Sequence, residues 1–120
     1  DTHTKWGILP KWGMSQRLAR QVGLRKAMEL SFTAEPIDGQ EAARIGLVNQ
    51  SVPRSELEAT VEQLCEKILS NSAQTIAAMK QMYYAGYYGT LKEGIDYESQ
   101  FEKEITDRLE FLLNFEKNKR

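Results

Sequence analysis

Residues 55–69 read SELEATVEQLCEKIL, and their apolar positions decide the fold class. Leu57, Val61, Leu64, Cys65, Ile68 and Leu69 recur at offsets of four, seven, eight, eleven and twelve, the spacing that lines one face of an α-helix. Ser55 stands before the stripe as a candidate N-cap. Downstream, Asn71 and Ser72 offer a cap for AQTIAAMKQMYYAGYY, with Ile76, Met79, Tyr83 and Tyr87 near helical spacing and Gly89 as the stop. Thr90-Leu-Lys-Glu93 has capping-box spacing and opens a helix through Leu91, Ile95, Phe101 and Ile105. Asp107-Arg-Leu-Glu110 repeats that spacing, which predicts a break near Thr106 and a last helix.

Upstream, Asp38-Gly-Gln-Glu41 is a third box and Gly46 closes its short helix. Residues 47–52, LVNQSV, alternate only partly before Pro53 and read as a short strand or extended link. Residues 15–22 and 24–31 form two short helices separated by Gly23. The expectation is therefore a mostly α fold with at most one or two very short strands. Its helices fall near 15–22, 24–31, 39–45, 56–70, 73–88, 91–105 and 108–117. The core is expected from Leu18, Val22, Met28, Leu30, Ile45, Leu47, Leu57, Val61, Leu64, Ile68, Ile76, Met79, Ile95 and Leu112. Cys65, inside its stripe, reads as a small buried hydrophobe rather than a reactive thiol. Residues 1–13 hold two Trp, two Gly and one Pro in no clear period, which predicts a loop that packs. One domain, 1–120, results: a pocket loop over 1–13 and a helical bundle over 14–120.

Composition removes several functional classes. The chain has 120 residues, and 16 Lys+Arg against 17 Asp+Glu leave a net charge of −1, without the basic excess of a nucleic-acid binder. No apolar run reaches the roughly 18 residues that cross a bilayer, so no membrane contact is expected. One Cys and one His make no metal site, and a single thiol points to a reducing, cytoplasmic compartment. A first residue Asp1 rather than Met leads us to expect a piece or a processed product of a longer protein. His3 is the one side chain with an unperturbed pKa near neutral. The tyrosines at 83, 84, 87 and 88 share a broad helix face, suited to packing or subunit contact before any stacking platform. Cations at Lys117, Lys119 and Arg120 complement a helix C-terminus.

The order GILPKWGMSQRLARQVGLRKAMEL (residues 7–30), then FTAEPIDGQEAARIGLVN (32–49), resembles the C-terminal half of the enoyl-CoA hydratase/isomerase (crotonase) family. Ile37-Asp38-x-x-Glu41-Ala42-x-x-Ile45-Gly46-Leu47-Val48-Asn49 is its most specific part. The resemblance implies the helical C-terminal region that follows a superhelix of ββα turns and helps build trimers. It implies an acyl-CoA substrate, with coenzyme A as part of that substrate and no separate cofactor. It also implies an enolate oxyanion held by two backbone N–H groups. Both oxyanion segments and the first carboxylate of the family precede the part that this chain matches, so the chain alone is expected to be inactive.

One catalytic position of the family falls inside. The second carboxylate of P-E-x-x-x-G-x-x-P-G falls on His3, and Lys11 stands where the glycine after the proline would be. The resemblance thus makes His3 the acid–base candidate, with imidazole in place of carboxylate. It makes Trp6, Trp12 and Gly13 substrate-binding candidates and Phe115, Lys117 and Lys119 the coenzyme A contacts. Peroxisomal and mitochondrial sources fit as well as a cytoplasmic one. The competing expectation is a non-catalytic helical module for oligomerisation or partner binding.

Overall fold

Capping chemistry sets most helix boundaries. The computed structural model describes residues 1–117, with side chains as far as Asn114. It is 68% helical and has no strand among the described residues, so the mostly α expectation holds. The chain forms two compact units, Asp1–Glu58 and the residues from Ala59 onward. The division thus falls at residue 58, whereas the sequence reading separated a loop from a bundle at residue 13.

The first unit carries α1 (His3–Trp6), α2 (Met14–Val22), α3 (Leu24–Thr33), α4 (Gly39–Arg44) and a 3₁₀ turn at Arg54–Glu56. Helix α1 corrects the expectation of a loop over 1–13. It closes on Gly7 in the left-handed conformation, whose N–H reaches back to the carbonyls of His3 and Thr4. Thr4 Oγ1 donates to the Ser31 carbonyl at 2.7 Å and pins α1 against α3. Ala34, left-handed at φ 52°, ends α3 two residues later than expected. Asp38 accepts the Glu41 N–H at 2.8 Å and caps α4. The Glu41 side chain does not complete the box. It takes Arg44 Nε and Nη2 at 2.5 and 2.6 Å, with Lys26 Nζ at 3.4 Å. Two cations offer that carboxylate more than one backbone N–H could.

The second unit is built on α5 (Leu57–Leu69, starting two residues before the division), α6 (Ala73–Tyr88), α7 (Leu91–Gln100) and α8 (Arg108–Lys117). Ser55 lies within the 3₁₀ turn rather than at a helix cap, because Pro53 sets the entry with its own φ of −53°. Ser72 caps α6 through the Thr75 N–H, and Thr90 with Glu93 forms a complete capping box on α7. The backbone N–H and hydroxyl of Thr90 hold the Glu93 carboxyl below the ordinary carboxylate range. Helix α7 stops at Gln100, five residues before the expected end. Phe101 turns extended, and the following segment returns to the start of α6. There Gln74 pairs with Thr106, and Ser72 Oγ donates to the Asp107 carboxylate at 2.8 Å.

The core also differs from expectation. Ala27, Leu30, Ala34, Ala42 and Ala78 are the buried apolar residues. Leu18, Val22, Ile45, Leu47 and Ile76 are half-buried. Met28, Leu57, Val61, Leu64, Ile68, Met79, Ile95 and Leu112 are exposed, and so is Cys65. Paired helices of this length bring small residues together where they cross. Their larger apolar side chains point outward and would need a further layer to cover them.

Candidate functional site

Asp1 organises the entrance to α1. Its Oδ1 accepts the backbone N–H of His3 at 3.1 Å, satisfying an N–H that the helix itself leaves unpaired. The same oxygen lies 2.5 Å from His3 Nδ1. The Asp1 side chain is only 4% exposed and the imidazole 24%, so the pair is set into the surface of its unit. Two grooves meet at this pair. One, of about 620 Å³, runs along α2 and is lined by His3, Trp12, Arg17, Gln21 and Leu47 among others. The second, of about 410 Å³, lies between α1, α2 and α3, where Pro10, Met14, Leu18, Met28 and Phe32 give it an apolar wall. Asp1 and His3 line both.

A polar pair at the junction of two largely apolar grooves is an arrangement typical of small-molecule sites. Arg17 and Lys11 add positive charge to the larger groove. Gln21 Nε2 donates to the Gly46 carbonyl at 3.3 Å and ties α2 to the end of α4. Trp12 adopts φ 57° and Gly13 φ 75°, two successive left-handed residues that turn the chain into α2. Glycine takes that conformation freely, while for tryptophan it is uncommon.

The structure brings some of the sequence candidates together. Trp12 lies on the larger groove with His3, and Gly13 is the residue before α2. Trp6 lines neither groove. Trp6 and Trp12 are 74% and 84% exposed, which corrects the expectation that they pack. Among the described residues nothing covers them. Phe115, Lys117 and Lys119 lie outside the residues whose side chains are described. The tyrosines of α6 pack on one another, with Tyr84 and Tyr88 stacked at 5.8 Å and Tyr87 edge-on to Tyr88 at 5.2 Å. Among the described residues no group of three or more His, Cys, Asp or Glu gathers as metal ligands. No helix is long and apolar enough to cross a membrane there either. Sequence reasoning gave Asp1 no role beyond being a first residue other than Met. The signal for their bond is the Asp-x-His spacing at a helix entrance, which lets one carboxylate reach both the backbone and the ring.

A sequence model described as enoyl-CoA hydratase/isomerase matches residues 1–117. The chain belongs to the enoyl-CoA hydratase/isomerase family. Over 94 residues it is 43% identical to a probable mitochondrial enoyl-CoA hydratase of Dictyostelium discoideum, covering 78% of this chain and 34% of the relative. A short-chain-enoyl-CoA hydratase of Clostridium acetobutylicum is 40% identical over 94 residues, covering 78% and 36%. A probable peroxisomal enoyl-CoA hydratase of Arabidopsis thaliana is 34% identical over 104 residues, covering 87% and 38%. The chain thus spans little more than a third of the length of these family members. The crystal structure of an enoyl-CoA hydratase from Geobacillus kaustophilus superposes with a TM-score of 0.78 at 27% identity, covering 93% of this chain and 45% of that one. Its fold is the crotonase fold.

Proposed function

We propose that this chain is the C-terminal portion of an acyl-CoA enzyme that hydrates or isomerises an enoyl-CoA thioester through an enolate oxyanion. The observation that carries the reading is His3, held by Asp1 where two grooves meet, in a chain of the enoyl-CoA hydratase/isomerase family. In this reading the acyl chain lies in the apolar groove past Met14 and Phe32. Trp12 and Gly13 border the thioester. Coenzyme A enters as part of the substrate, with no separate cofactor, and its nucleotide meets Phe115, Lys117 and Lys119. Backbone N–H groups from the preceding part of the protein hold the enolate oxygen. His3 moves the proton, from water during hydration or between carbons during isomerisation. The single Cys65 favours a reducing compartment such as the cytoplasm.

In the protein that carries this chain, His3→Ala is expected to lower kcat/KM for crotonyl-CoA by about 10². A loss below about threefold with folding intact assigns His3 a structural role instead. A second reading, a non-catalytic oligomerisation or partner-binding module, draws on the exposed apolar face of α5. Self-association without any binding or turnover of acyl-CoA would favour it.

A further inference from the structure

Pairing the His3 N–H at the start of α1 requires Asp1 only to accept one hydrogen bond, and an Asn side chain could do as much. The second contact, from Oδ1 to His3 Nδ1 at 2.5 Å, adds nothing to the helix. It does fix the ring. A carboxylate only accepts, so the hydrogen between the two atoms belongs to Nδ1 and the lone pair of the neutral imidazole falls on Nε2. Among the described residues no hydrogen bond is made to Nε2, and the ring lines both grooves. The low exposure of the Asp1 side chain shields this contact from competing water.

We infer that Asp1 is a positioning residue that holds His3 in its Nδ1-protonated form and presents Nε2 as the proton-transferring atom. The inference rests on the acid–base reading of His3. Nε2 takes a proton from water as the C–O bond forms, or from the substrate carbon as the enolate forms. The imidazolium then stands against the Asp1 carboxylate. Returning the proton to carbon restores the neutral ring, so nothing is consumed. The side chain of Asp1 touches no reacting atom in this scheme; it acts through the ring.

The test is the tautomer of His3 by long-range ¹⁵N–¹H correlation in the protein that carries this chain. The signal is assigned by its loss in His3→Gln. The Nδ1–H form should predominate in the unmodified protein. Asp1→Asn, whose amide can donate to Nδ1, should move the population toward Nε2–H. It should also lower kcat for crotonyl-CoA at least tenfold, as loss of an orienting carboxylate does in hydrolase triads, with KM within about threefold. Asp1→Ser also removes the carboxylate and should show the same kcat loss, whereas Asp1→Glu should recover part of it. Predominance of Nε2–H in the unmodified protein overturns the inference. So does an Asp1→Asn protein with unchanged tautomer or unchanged kcat. Absence of all acyl-CoA turnover would remove the functional reading, and the positioning role in catalysis with it. The tautomer would still report whether the pair itself exists.

Discussion

Glu41 is held well below the ordinary carboxylate range. The Arg44 fork, followed by charge attraction to Arg44 and the contact with Lys26, brings its carboxyl from an ordinary 4.5 down to about 2. A depressed folded-state value means the unfolded chain binds the proton more readily. The contribution to stability is therefore complete above about pH 5 and is lost as pH falls toward about 2. Thermal unfolding followed between those limits should drop more steeply for the unmodified protein than for Glu41→Gln. Added salt should shrink the difference, because the ion pairs meet solvent. Legibility at this scale was partial. Asp38 as a cap was plain from its place before a helical run, and it holds. The return of Glu41 to the cap was equally plain from spacing and does not occur, because Lys26 and Arg44 approach from a direction that local spacing does not encode. His3 was legible as the single histidine of the sequence. Its bond to Asp1 was not anticipated, because the Asp-x-His spacing gains meaning only once α1 begins at His3.

Helix existence was the most readable level. Gly7 and Gly46 terminate α1 and α4, and the Thr90 box opens α7, all through chemistry confined to four or five residues. What the residues could not reveal was how helices cross. Gly86 and Gly94 face each other where α6 and α7 pack, and a Cβ on Gly94 would lie 2.8 Å from the Gly86 Cα. Neither backbone can yield without parting the helices. Gly94→Ala is expected to destabilise the α6–α7 pair by about 1–3 kcal/mol despite alanine's better helix propensity. Chemical denaturation followed by circular dichroism checks the sign, since a net gain would mean that propensity outweighs the crossing. Likewise the segment after α7 is held through Thr106 and Asp107 by Gln74 and Ser72, partners more than thirty residues away from them.

For the whole molecule, apolar periodicity identified faces but not what those faces meet. Leu57, Val61, Leu64 and Ile68 share one side of α5 as the spacing required, and all are exposed. Burial depends on a partner surface, which helical spacing within one chain does not specify. An apolar face of this kind rarely stays open on a monomer. Sedimentation of the chain at tens of micromolar is expected to show species larger than a monomer. A clean monomer that binds no hydrophobic dye would contradict this. The division at Glu58 has a spectroscopic consequence. Both tryptophans, Trp6 and Trp12, fall before it, and all five tyrosines, from Tyr83 to Tyr97, fall after it. Red-edge excitation, where tyrosine does not absorb, therefore interrogates the first unit alone, while tyrosine emission originates only in the second. The native chromophores thus give each half its own optical channel, with no label attached.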